Sequence, residues 1–256
     1  MSQPPPPPGQ PRELNLQKTA EQFMLGLQRH FDMLAFNLAS RACVTEDLYK
    51  ATIRAPRIMP VAQAHQNFEQ LQAYSRDLLF CQVVNDNLNL CMAALNQMHI
   101  FLGAVKLQKA HGNFGQEAQQ QLQQLQQSFV QAPLDQKFNH LEEDYGIMCE
   151  LEDTVTSFGF CLQALTQQGG IVRAAQLDDS GELALELKAA GESTTFNVVG
   201  GSSPAELETQ RMVFRDGDKI TFTDLQLQGL IVTVSIFAHQ LFSAVSRYAR
   251  ENHPHP

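Results

Sequence analysis

The sequence predicts a mainly α protein: an antiparallel bundle of long helices, with a small antiparallel β-sheet inserted before the last helix. Three observations carry that expectation. Apolar residues recur at alternating steps of three and four along several long segments. Between about 170 and 223 this period gives way to short β-type runs bounded by Gly, Asp and Pro. From Leu227 to Tyr248 the helical period returns. The expected organisation is a proline-rich disordered tail over 1–12, then one domain over 13–256 with the β insertion at about 170–223.

Residues 2–12 hold a run of five prolines, which supply no amide donors and favour an extended, solvated chain. From Leu14 to about Cys43, the positions Leu16, Ala20, Phe23, Leu27, Phe31, Leu34 and Leu38 step as one face of an amphipathic helix. Thr45, Glu46 and Asp47 offer a cap and an acidic first turn for a short helix to about Arg54, which Pro56 and Pro60 close.

The stretch from Phe68 to Leu107 organises the rest. Leu71, Tyr74, Leu78, Cys81, Leu88, Met92, Leu95 and Leu102 form a heptad-like seam, with Asn85 and His99 in its two gaps. Phe80, Val84, Cys91, Met98, Ile100, Phe101 and Val105 widen the apolar surface beyond half the helix circumference, so several neighbours must cover it. A helix from Pro60 to Ala110 would be about 75 Å long, and a break is expected near Gln70 or Gly103. Asp86 is the one charge between Leu78 and Val105. It belongs to a polar cluster of Asn85, Asp86, Asn89 and Asn96, expected to sit semi-buried and to fix register or bind a polar group.

Residues 116–131 contain nine glutamines around Leu122, Leu125, Phe129 and Val130, which predicts an exposed helix with a narrow apolar stripe. After Pro133, one long helix is expected from Phe138 through Leu141, Tyr145, Met148, Val155, Phe158 and Leu162 to Leu165. Its acidic outer face, with Glu142, Glu143, Glu150 and Asp153, is a surface on which a basic partner would dock. Strands are expected at Ile171–Leu177, Glu182–Leu187 and Thr194–Val199, and a short helical turn at Ser203-Pro204. A hairpin is expected in which Asp216-Gly217 joins Arg211–Arg215 to Lys219–Phe222. Thr223 or Asp224 caps the final helix, whose seam should pair with the central helix.

Charged residues are only 18% of the chain, and its 30 glutamines outnumber the 27 acidic residues. The net charge of -9 argues against bulk nucleic-acid binding, which rests on Lys and Arg. Five cysteines without C-x-x-C spacing fall in apolar helical patterns and suggest reduced core thiols in a cytoplasmic protein. The Met-Ser-Gln-Pro start lacks the layout of a secretory signal. An uncharged run from Leu225 to Ser246 has membrane-span length, but Gln226, Gln228, Thr233, His239, Gln240 and Ser243 interrupt it, so a buried core helix is expected and membrane contact is not.

Metal sites need several converging ligands. The pair His140 and Asp144 supplies two, so no metal is expected, and no cofactor either. No nucleophile elbow or phosphate-binding loop is present. Near the C-terminus, Arg247 and His253 stand in an R-x5-H spacing, followed by Pro254. This spacing is similar to the motif of HEPN-type helical ribonuclease domains. That resemblance implies metal-independent RNA cleavage, with the arginine holding a phosphate and the histidine moving a proton, in a site that two copies often build together. From the residues themselves, the chain is expected to be a soluble helical interaction or scaffolding protein that self-associates as a homodimer. The ribonuclease and a C-terminally anchored membrane protein are the alternatives.

Overall fold

The structure, a computed structural model, describes residues 15–52, 67–111, 115–190 and 207–252. It is mainly helical with one two-stranded sheet placed before the last helix. The expected strand at 194–199, the turn at 203–204, the proline connector and both chain ends lie outside the described residues.

Helix α1 (Leu16–Cys43) begins where Asn15 accepts the Lys18 N–H at 3.0 Å through its side chain. Helix α2 (Glu46–Thr52) is capped by the Thr45 hydroxyl, which accepts the Leu48 N–H at 3.3 Å. Helix α3 (Phe68–His111) is a single rod of 44 residues, about 66 Å long, with no break at Gln70 or Gly103. Gly103 serves packing: a Cβ there would lie 2.6 Å from Leu122, so the bare backbone lets helix α4 (Gln116–Gln131) close against α3.

The single long helix expected from Phe138 to Leu165 is two. Helix α5 (Leu134–Tyr145) ends at Gly146, whose positive φ of 65° gives the left-handed turn that lets its N–H and that of Ile147 bond back to Glu142 and Leu141. Ile147, Cys149 and Leu151 are then buried while Met148 and Glu150 face out, a two-residue alternation. Helix α6 (Glu152–Gln167) follows. The apolar count through 147–151 merges with the helical period on either side, which is why the break was hidden.

Strands β1 (Leu183–Ala190) and β2 (Leu207–Phe214) pair antiparallel, Leu183 opposite Phe214 and Ala190 opposite Leu207. Residues 171–177 are not a strand: Ile171 makes one bridge to Lys219, and a 3-10 turn follows at Ala174–Gln176. Asp216-Gly217 does form a turn, with Gly217 at φ 87°, but its arms do not pair with each other. The Gly217 N–H donates to Val172 O, Val172 N–H to Asp218 O and Ile220 N–H to Gly170 O, so this turn grips the chain leaving α6. A turn dipeptide sets local geometry; the strand partner is chosen by what lies nearby.

Helix α7 (Asp224–Asn252) starts with a reciprocal cap, the Thr223 hydroxyl accepting the Gln226 N–H and the Gln226 side chain accepting the Thr223 N–H. It packs on α3, α1 and β1. Arg76 meets Asp224 at one end and Lys109 meets Asn252 at the other, so α3 and α7 run parallel, with α1 antiparallel beside them. Leu95, Leu102, Leu230, Val234, Phe237 and Leu241 are all fully buried. Each such side chain contributes about 1.5–3 kcal/mol. The sheet lays Leu183, Leu185, Leu187 and Ala189 on this core. Thr233 joins the sheet to the helix: its hydroxyl accepts the Lys188 N–H at 2.8 Å and donates to Gly229 O at 2.7 Å. Burial pushes the thiols of Cys91, Cys149 and Cys161 up to about 12, so these are inert core residues at neutral pH.

Candidate functional site

Where α3, α4 and α5 meet, a polar network is enclosed. Lys137, in the first turn of α5, has no exposed surface. Its ammonium donates to Asn96 Oδ1 at 3.0 Å, to Val130 O at 3.1 Å and to Phe129 O, and lies 4.4 Å from the Phe129 ring centroid. Both carbonyls belong to the last turn of α4, where Phe129 O also accepts the Ala132 N–H at 3.2 Å, so Lys137 helps to close that helix and ties it to α3. Burial pulls the lysine pKa down.

His99 stacks on the other part of this network, its ring 3.9 Å from Phe129 and nearly parallel to it. Gln126 donates its amide N–H to Asn96 O at 3.1 Å, which turns its oxygen toward His99 Nδ1 at 2.8 Å. With that amide orientation, His99 carries its proton on Nδ1. Burial holds the His99 pKa below its ordinary value, so the ring is neutral at pH 7. These groups fix the corner between helices rather than expose a reagent. Lys137 was legible in principle, because Lys137, Leu141 and Tyr145 step by four on one apolar face.

The structure divides the polar cluster expected on α3. Asn96 joins the Lys137 network; Asn85 is half-buried and donates to Asp86 Oδ1 at 3.2 Å; Asn89 is exposed. The buried amide of that run is Asn87, which donates to Val83 O at 2.8 Å and faces His30 Nδ1 of α1 at 3.5 Å. The α3 seam is divided as well. Leu95, His99 and Leu102 are buried, and α4 lies over Asn96, His99 and Gly103. Earlier on the same face, Tyr74 and Leu78 are 51% and 52% exposed, while Cys81, Asn85, Leu88 and Met92 are half-buried.

Large exposed apolar side chains concentrate on α1 to α3, where Leu25 is 71% and Phe36 66% exposed, and Met33 and Leu48 are exposed as well. Where the end of α1, α2 and the start of α3 meet, a groove of about 580 Å³ is lined by Tyr49, Phe68 and Leu71 together with Arg41 and Arg76. Arg76 is held by Asp224 Oδ1 and Phe222 O, each at 2.8 Å, and lies over Phe80. Arg41 donates to Gln72 O at 3.4 Å, and burial followed by the neighbouring Arg76 lowers its pKa.

Glu142, Glu143, Glu150 and Asp153 are all exposed, but the turn at Gly146 distributes them over α5, the connecting loop and α6. Glu150 accepts from Gln240 at 3.1 Å, and the adjacent Asp144 is paired with Lys106 at 3.1 Å. Arg247 is exposed and borders a cleft of about 400 Å³ with Tyr145, Tyr248 and Glu251; His253 lies outside the described residues. Among the described residues, no three His, Cys, Asp or Glu side chains converge as metal ligands. Helices α3 and α7 are long and apolar enough to cross a membrane by length and composition. No protein-family model, curated protein or solved structure matches this chain.

Proposed function

We propose that this chain is a helical protein-interaction or scaffolding module that works by contact rather than by chemistry of its own. The observation that carries this is the concentration of exposed apolar side chains on α1 to α3, including Leu25, Phe36, Leu48 and Leu78, in a bundle whose core is otherwise closed. Isolated apolar residues on a surface need no explanation, but several on consecutive helices mark a surface that another molecule covers. The polar network around Lys137 supports the same reading, because it is enclosed and holds helices in place.

A photo-cross-linking amino acid placed at Phe36, or at Leu78, tests this in the producing cells. Adducts to a polypeptide are expected from both sites and not from Glu186, which is exposed on the sheet. Adducts no more frequent at 36 and 78 than at 186 would refute it. The ribonuclease alternative has one observation in its favour, namely that Arg247 borders a concave cleft beside two tyrosine side chains. It requires RNA cleavage without metal that disappears in His253→Ala; full cleavage by that variant removes the histidine from the mechanism.

A further inference from the structure

The groove between the end of α1, α2 and the start of α3 brings two guanidinium groups, Arg41 and Arg76, together with one carboxylate, Asp224, among the described residues. Its walls are apolar, built by Leu38, Tyr49, Phe68 and Leu71, with the Tyr49 and Phe68 rings 6.0 Å apart. Asp224 is engaged by Arg76 at 2.8 Å, and Phe222 O takes a second hydrogen bond from the same guanidinium. Arg41 is placed differently. It donates to Gln72 O at 3.4 Å, long for such a contact, and makes no ion pair with a carboxylate among the described residues. Residues 53–66, which join α2 to α3, contain Arg54 and Arg57 and neither Asp nor Glu, so their composition supplies no counter-charge either. Burial and then Arg76 lower the Arg41 pKa, while Asp224 acts less strongly in the opposite sense. Arg41 is therefore half-buried, next to a like charge and short of acceptors.

We propose that this groove binds a small organic acid, one carboxylate on an apolar body such as an acyl chain, with the carboxylate on Arg41 and the body against Tyr49, Phe68 and Leu71. A guanidinium presents its N–H donors as a planar fork that a carboxylate matches with two parallel hydrogen bonds. Charge selects the head group. Asp224 offsets one of the two arginines, so a single negative charge balances the other, whereas a phosphate dianion would set a surplus negative charge beside Asp224. The whole chain carries -9, so its long-range field does not gather anions, and affinity must come from contacts inside the groove. Shape selects the body. The volume of about 580 Å³ lies in the range of roughly 300–1,000 Å³ for small-molecule sites, which pair apolar walls with a few polar groups. Arg76, held by Asp224 and Phe222 O and lying over Phe80, is a fixed wall; Arg41, from the last turn of α1, has donors to give. Leu25, Phe36, Leu48 and Leu78, which carry the interaction reading, do not line this groove, so each site stands without the other.

The test is calorimetric titration of the full chain with decanoate, kept below its micelle-forming concentration. Saturable binding of one decanoate per chain is expected. Arg41→Gln should weaken it about tenfold or more, the effect of losing a charged hydrogen-bond partner. Circular dichroism should be unchanged, because Arg41 lies partly in solvent. Gln72→Glu, at an exposed position lining the groove, adds a competing carboxylate and should also weaken decanoate; it decides the matter if Arg41→Gln does not fold. Decanol, with the same chain and no charge, should bind about tenfold more weakly than decanoate or worse. No saturable decanoate binding, unchanged affinity in both variants, or equal affinity for decanol would overturn the proposal. Tighter binding of decyl phosphate than of decanoate would overturn the choice of a singly charged head group. Co-sedimentation with phosphatidylserine vesicles that Arg41→Gln abolishes, in a chain that does not bind decanoate, would assign the groove to a membrane surface and overturn the proposal as well.

Discussion

Replacing Lys137 by Met keeps the length of the side chain and removes its ammonium. Asn96 Oδ1 and Val130 O then lose the lysine as donor in a partly buried corner, Phe129 O keeps only the Ala132 N–H, and the Phe129 face loses its cation. Each buried acceptor left unpaired costs about 1–3 kcal/mol. Removal of a buried ion returns part of this, because desolvating an ammonium is itself unfavourable. The net loss is expected at about 2–4 kcal/mol, and in a chain of this size roughly 5–15 °C in melting temperature. Urea unfolding should show a lower midpoint with an unchanged slope. A double-mutant cycle with Asn96→Ala should give a coupling on the order of 1 kcal/mol. The sign of the pH response is a second check. Burial lowers the Lys137 pKa from 10.5. Between the lowered value and 10.5 the unfolded chain therefore binds a proton that the folded chain does not, and stability rises with pH in that window. Lys137→Met should flatten that rise. A midpoint shift below about 1 kcal/mol, with no coupling to Asn96, would refute the assignment of Lys137 as the group that holds α4 to α3.

His99 makes the converse prediction in acid. Its folded pKa lies below 6.5, so as pH falls from 6.5 towards that lowered value the unfolded chain takes up a proton first and stability is lost. Urea midpoints across this range should slope in wild type and flatten in His99→Phe, and equal slopes would refute the burial of a neutral ring. Thr233→Val leaves the Lys188 N–H without its acceptor at nearly constant volume, and about 1–3 kcal/mol is expected to be lost. Hydrogen exchange at the Lys188 amide should accelerate; unchanged protection there would show that the threonine does not tie the sheet to α7.

Much of the helical layout was legible in the sequence because burial of one helix face imposes a period on it. The three-four steps of α1, α3 and α7 placed those helices, and Asn15, Thr45 and Thr223 cap theirs because a side-chain oxygen next to unpaired amides has few other uses. The period could not distinguish a continuous helix from two helices joined by an alternating buried segment, so Gly146 was passed over. Nor could the turn at Asp216-Gly217 reveal that its partner was the chain at 170–172.

The sequence by itself determined which surfaces are apolar, where α2, α4 and α7 begin, and that the described fold is mainly helical with a small sheet before its last element. Only the tertiary structure decided which neighbours cover those surfaces. The seam on α3 reads the same from Leu71 to Leu102, yet α4 lies over its later part, where Leu95, His99 and Leu102 are buried, while Cys81, Asn85, Leu88 and Met92 are half-buried and Leu78 is half exposed. Likewise, the step of four from Lys137 to Leu141 and Tyr145 places the lysine on an apolar face but does not say what receives its ammonium. Its burial follows from where the carbonyls at the end of α4 and the amide of Asn96 come together, which is a matter of distances between residues 41 apart in the chain.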